Sequence, residues 1–146
     1  MKLENGITGF YERTNEQPFK EEGKHFKQIC FSLINSNRGS VIKFEEPNGT
    51  NFFNVEVLIS DKNTHILLNA HYPYIAFASD VQFENIAFID DVELNNVFKP
   101  YYNILNTYQL NKTMASVEMD LNSAELKQID YWKPTRIGDI IFNYWD

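Results

Sequence analysis

Apolar and polar positions follow two different periods along the chain, and the changes of period mark out its elements. Across residues 19–35, Phe26, Ile29, Cys30, Leu33 and Ile34 fall at i, i+3, i+4, i+7 and i+8, one face of an amphipathic helix. Asn35-Ser36-Asn37-Arg38-Gly39 ends it, because Asn and Gly supply the left-handed conformation in which helices stop. Two runs with a period of two follow, over 41–46 and 52–60. On the second, Phe53, Val55, Val57 and Ile59 share one face while Asn54, Glu56 and Ser60 share the other. The intervening Pro47-Asn48-Gly49-Thr50-Asn51 predicts a hairpin with Asn-Gly in its turn. A third strand, 64–72, puts Ile66, Leu68, Ala70 and Tyr72 on one face and His65, Asn69 and His71 on the other. Pro73 then predicts a bend or an edge position before a strand over 74–79.

The flanking regions are less regular. The first eighteen residues are mostly polar, with a short strand expected over 7–13 and closed by Pro18. Residues 81–91 predict a further strand in which Ile86, Ala87, Phe88 and Ile89 are too continuous to choose a face. A short helix is expected over 92–102, with Val92 packing toward Leu94, Val97 and Phe98 and with Pro100 ending it early. Residues 103–119 show no single period. In the last quarter, Asn122 followed three residues later by Glu125 predicts a capping pair for a helix through Leu126, Ile129 and Trp132 that stops before Pro134. Thr135 then predicts the cap of a second helix, in which Ile137, Ile140, Ile141, Tyr144 and Trp145 form a complete apolar stripe. So short a helix is marginal in water, so burial of the stripe must stabilise it, as a clasp over a sheet rather than a binding tail.

These patterns predict an α+β domain, an antiparallel sheet of four to six strands with the N-terminal helix and two C-terminal helices packed on one face. With 146 residues, no internal repeat and no low-complexity tract, a single domain over 1–146 is expected.

Charge and composition narrow the functional classes. Twenty acidic against thirteen basic residues leave a formal charge of −7, which does not suit a nucleic-acid backbone and favours a basic protein partner. Cys30 is the lone cysteine, so no intramolecular disulfide forms, and its place on the helical stripe predicts a packed thiol in a reducing compartment. Met1-Lys2-Leu3-Glu4-Asn5-Gly6 has neither the basic start nor the apolar run of a secretory signal, and no window approaches the ~18 apolar residues of a membrane span. A cytoplasmic protein with no membrane contact is therefore expected.

Candidate chemistry is sparse. His65 and His71 lie six residues apart, roughly 20 Å along a straight strand, and cannot share one metal. No cysteine pair replaces them, so no metal and no cofactor is expected. Asp90-Asp91-Val92-Glu93, the densest acidic cluster, would hold a divalent cation or a basic partner, or would cap the following helix. No nucleophile elbow, Walker loop or dinucleotide-binding turn occurs, and His25 is poorly placed to activate Cys30, so no catalytic residue is assigned. Aromatic residues make up 15% of the chain, and His71-Tyr72-Pro73-Tyr74, Tyr101-Tyr102 and Tyr144-Trp145 carry side chains suited either to a core rim or to an interface.

Tyr131-Trp132-Lys133-Pro134, followed by Gly138-Asp139-Ile140-Ile141-Phe142-Asn143-Tyr144-Trp145-Asp146, is similar to a C-terminal signature of small cytoplasmic proteins of Gram-positive bacteria. Some of those resemble immunity proteins paired with polymorphic toxins. The resemblance covers about a fifth of the chain and carries no functional residue across, since the signature reads as structural. It implies a small, acidic, non-catalytic protein that neutralises a toxin by covering its active site. On that reading Asp90, Asp91 and Glu93, with Glu45, Glu46 and Glu56 beside the hairpin, form the charged side of an interface with a basic toxin domain, and Tyr72 and Tyr74 are its anchors. The alternative is a small-molecule-binding domain or hydrolase using an aromatic pocket, with His65 or His71 as its polar group. A structural or oligomerising subunit would instead show a large exposed apolar patch, and the oligomeric state is left open.

Overall fold

The computed structural model describes residues 1–12 and 19–145. In chain order the elements are β1 (Lys2–Leu3), α1 (Lys24–Ser36), β2 (Ser40–Glu45), β3 (Phe52–Ile59), β4 (Lys62–Asn69), β5 (Tyr74–Gln82), β6 (Asn85–Ile89) and α2 (Val92–Phe98). They continue with β7 (Asn103–Ile104), α3 (Thr107–Leu110), β8 (Glu118–Met119), α4 (Ser123–Trp132) and α5 (Gly138–Ile141). Strands β2 to β6 form an antiparallel meander, and β7 joins it parallel to the first residues of β5. A separate two-stranded parallel pair joins β1 to β8.

The α+β class and the number of strands match the expectation, while the helices divide between the two faces of the sheet. Phe53, Val55, Val57 and Ile59, with Ile66, Leu68, Ile75 and Phe77, pack under Phe26, Cys30 and Ile34 of α1 and Leu94 and Phe98 of α2. The opposite face carries Phe52, Leu67, Ala76, Ala78 and Ile86 under Leu110, Ile129, Ile140 and Ile141, the last two from α5. The physical reason lies in the central strands. Strands β4 and β5 are apolar on both faces, so one layer of helices leaves Leu67, Ala76 and Ala78 in water and a second layer must cover them.

Helix α1 begins at Lys24 rather than at Phe19, because Gly23 sits at φ 87°, outside the helical region. A Cβ on Gly23 would come within 2.5 Å of the Phe53 ring, so glycine is required there for space as well as for conformation. At the other end Arg38, not a glycine, takes the left-handed conformation with φ 63°.

Several expected elements differ in extent. Residues 7–9 turn and 10–12 have no regular structure, so no strand forms there, while Arg13 and Pro18 lie outside the described residues. Strand β4 ends at Asn69, whose side-chain oxygen accepts from the backbone N–H groups of His71 and Tyr72 and turns the chain; Tyr72 accordingly packs on the second face. The stretch 81–91 is divided by the Phe83-Glu84 turn, with Glu84 at φ 55°. Val92 is exposed rather than packed on Leu94, Val97 and Phe98.

Helix α4 has the capping box the sequence predicts. Glu125 donates its backbone N–H to the Asn122 side chain, and Asn122 N–H donates to the Glu125 carboxylate. The expected second C-terminal helix is a single turn, Gly138–Ile141, without a side-chain cap from Thr135. Asn143 N–H donates to Asn51 Oδ1 at 2.7 Å and the Asn143 carbonyl accepts from Asn51 N–H, which draws off the backbone a longer helix needs. Ile137, Ile140, Ile141 and Trp145 are still buried, so the stripe serves as a clasp although most of it is not helical. No helix among the described residues is long and apolar enough to cross a membrane.

Candidate functional site

The acidic cluster after β6 is engaged inside the fold. Asp91 caps α2 by accepting from Leu94 N–H at 3.0 Å, is almost buried, and lies 3.8 Å from Lys62. Asp90 accepts from both the N–H and the hydroxyl of Thr107 and so fixes the start of α3. Glu93 accepts from the Ser60 hydroxyl at the β3–β4 turn. The expected cap is realised by Asp91. No group of three or more His, Cys, Asp or Glu among the described residues is placed to hold a metal ion.

Tyr72 and Tyr74 stack with ring centroids 6.0 Å apart, and their hydroxyls donate to the Asn5 carbonyl and the Glu4 carboxylate. Burial raises both phenols above their ordinary value, and Glu4 adds to the effect on each. The two rings thus bind the N-terminal segment of their own chain. His65 Nδ1 lies 2.9 Å from Asn54 Oδ1, and His71 Nδ1 lies 2.6 Å from the Phe19 carbonyl. His71 lines an open depression with Phe19, Tyr72 and Tyr102, on a different part of the surface from His65.

The remaining predicted acids lead to a more informative surface. On the second face the C-terminal elements cover only part of the sheet, and Lys43, Glu45, Asn54, Glu56, Leu58, Asn63 and His65 stay wholly or partly exposed beside them. Their order follows the strand register, with Glu45 opposite Asn54, Lys43 opposite Glu56, and Glu56 opposite His65. Glu46 follows at the exposed start of the hairpin turn.

Tyr144 borders this strip and shows how the sheet bends. Its ring lies 5.5 Å from Phe52 and 5.3 Å from Phe83, centroid to centroid. Phe52 pairs with Asn69, next to the start of β5, whereas Phe83 lies nine residues past Tyr74, roughly 30 Å along a straight strand. Both rings reach Tyr144 only if the β5–β6 hairpin curls over the second face. The irregular register between Ala78 and Asp80 is the bulge that permits the bend. Burial, with Glu45 and Asp80 adding to it, pushes the Tyr144 hydroxyl up to about 12.

On its other side Tyr144 walls a cleft of about 180 Å³, between the end of α4, the β5–β6 turn and the C-terminal segment. Trp132 and Trp145 stand in its wall with planes within 6° and centroids 6.5 Å apart. Glu84, Lys133 and Asp139 supply its charges. The aromatic composition of the closing segment is legible in the sequence, but its meeting with Glu84 and Phe83 depends on the curl of a hairpin sixty residues away.

A buried polar lattice, which sequence reasoning missed apart from its capping pair, holds these walls. The Glu125 carboxylate is fully buried and accepts from Gly6 N–H at 2.7 Å, Thr8 N–H at 2.9 Å, the Thr8 hydroxyl, Asn122 N–H and Asn122 Nδ2. Asn51 and Asn69 each donate to the carbonyls of Ile7 and Ile141, and Asn143 donates to those of Thr8 and Ile140. The signal available in sequence was Asn143 itself, an amide set inside an apolar stripe. The chain matches no family model, no curated protein and no solved structure.

Proposed function

We propose that this is a non-catalytic binding protein of the immunity type, a cytoplasmic inhibitor that neutralises a basic toxin domain through the acidic and aromatic strip centred on Tyr144. The observation that carries the reading is the continuity of that strip. Glu45 and Asp80, with Glu56 further along the same strands, adjoin Tyr144, Phe83 and the tryptophan cleft, which combines steering charge with rigid aromatic contact area. Exposed Phe83 and Leu58 give the strip apolar contact area without making it a core. Asp90, Asp91 and Glu93, held in caps and turns, add to the negative field from outside the contact. Tyr72 and Tyr74 support the N-terminal segment and give way as anchors to Tyr144 and Phe83.

A small-molecule site on His65 or His71 has less support, since each ring nitrogen Nδ1 already has a partner and His65 does not line the depression that His71 borders. The test is association of the purified protein with a toxin-like domain encoded beside its gene, followed by stopped flow. Glu45→Lys with Glu56→Lys is expected to slow association at least ~10-fold at low salt and to flatten its salt dependence, with Asp90→Lys acting more weakly. Absence of a complex, or unchanged kinetics in the double variant, would refute the assignment.

A further inference from the structure

We infer that the cleft between Trp132, Tyr144 and Trp145 receives a cationic side chain, an arginine of the bound partner; this rests on the binding function proposed above. Size comes first. At about 180 Å³ the cleft lies below the ~300 Å³ at which small-molecule sites begin, and suits one long side chain better than a metabolite.

The walls favour a flat cation. Trp132 commits its Nε1–H to Gln128 at 3.0 Å, so that group is already satisfied and the indole is left to recognise an occupant through its π-system. The Trp145 ring lies parallel to it, and a planar guanidinium stacks on such faces while a compact ammonium does not.

Charge points the same way. Glu84 lines the cleft from the tip of the β5–β6 hairpin and takes part in none of the four ion pairs among the described residues. Glu45 and Asp80 lie on the Tyr144 side, while Asp139 is neutralised by Arg136. Lys133 is the one cation in the lining, against the unpaired Glu84 there and the two carboxylates beside Tyr144. The chain itself uses the same recognition next door. Arg136 lies 4.7 Å over the Phe88 ring while its Nε donates to Asp139 at 3.0 Å.

The experiment needs no partner. Protein with ¹⁵N-labelled indoles is titrated with Nα-acetyl-arginine methylamide and, separately, with the neutral citrulline analogue of nearly the same shape. Saturable shifts of both the Trp132 and Trp145 indole resonances are expected with the arginine probe, at least ~5-fold weaker with citrulline, the ratio that ~1 kcal/mol of cation–π attraction gives. Glu84→Gln, at an exposed hairpin tip, is expected to weaken the arginine probe about 3-fold without lowering the unfolding midpoint. Equal binding of the two probes, or indoles that do not move, overturns the inference. Failure of the toxin complex alongside normal probe binding would count against the immunity reading alone. A toxin complex sensitive to Glu45 and Glu56 alongside no probe binding would count against the cleft alone.

Discussion

Replacing Glu125 by alanine removes the acceptor that ties Gly6 and Thr8 to the start of α4, and the structure sets the size of the effect. Three of the donors it satisfies, Gly6 N–H, Thr8 N–H and the Thr8 hydroxyl, belong to buried residues. A buried donor left without a partner costs ~1–3 kcal/mol, and the rotatable Thr8 hydroxyl falls at the low end. Loss of the reciprocal half of the capping box adds up to ~1 kcal/mol. Against this, no ion pair among the described residues involves the carboxylate, so its desolvation is relieved on removal and the net loss settles near ~3–5 kcal/mol. That is a third or more of the ~5–15 kcal/mol that holds a domain of this kind together. Glutamine is not a mild replacement here. Its single oxygen serves one side of the donor set while its NH₂ confronts N–H groups on the other, so Glu125→Gln is expected to lose at least ~2 kcal/mol. Urea unfolding at neutral pH, with the slope unchanged, reads both values. A glutamine variant as stable as the parent, or an alanine variant that loses under ~1 kcal/mol, would refute the assignment of the carboxylate as the shared acceptor.

Trp145→Ala is expected to cost ~3–5 kcal/mol, since the indole is nearly buried against Trp132 and the second core; an unchanged melting temperature would overturn the clasp. Alkaline pH provides an independent check. Burial raises the phenols of Tyr72, Tyr74, Tyr102 and Tyr144, the last to about 12. Tyrosines in the unfolded chain lose their protons near pH ~10, so their contribution is complete below ~10 and is lost as pH rises through ~12. The urea midpoint should accordingly hold between about pH 8 and pH 9.5 and fall steeply above about 10.5, and a flat profile would argue that these hydroxyls are in water.

The periodic parts of the fold were legible because local physics decides them. The stripe of Phe26, Cys30 and Ile34, the alternation from Phe53 to Ile59 and the Asn122 and Glu125 capping pair all appear in the structure where the spacing puts them. The start of α1 and the end of β4 shifted for local reasons at Gly23 and Asn69, while the larger misses had long-range causes. The helix expected over 137–145 rests on a correct burial pattern, yet Asn51, ninety-two positions from Asn143, claims the backbone that would continue it. The two-sided burial of β4 and β5 was present as the continuous runs Ile66-Leu67-Leu68 and Ile75-Ala76-Phe77-Ala78, which are equally compatible with one buried face and a stray apolar residue. For the site, the acids were visible as types but not as partners. Asp90 meeting Thr107 and Glu93 meeting Ser60 depend on how β6 leaves the sheet, which no local window encodes.

The lattice beneath the cleft also bears on the binding proposed for it. Trp132 is fixed by Gln128, Tyr144 by the rings of Phe52 and Phe83, and Trp145 donates its backbone N–H to the Asn143 side chain. The Trp145 indole itself is nearly buried and parallel to Trp132, so each wall residue has its rotamer set before anything arrives, which removes ~0.5–1.5 kcal/mol of ordering cost per side chain from the proposed binding step. A preorganised cleft of this kind predicts little backbone change on complex formation and affinity differences expressed mainly in dissociation. Asn143 is then a poor probe of recognition despite lining the cleft, because its removal also breaks the bonds to Thr8, Ile140 and Asn51 on which the walls stand. Glu84 is the better one. It shares the cleft but none of the lattice, so a change in its charge reports on recognition while leaving the walls in place.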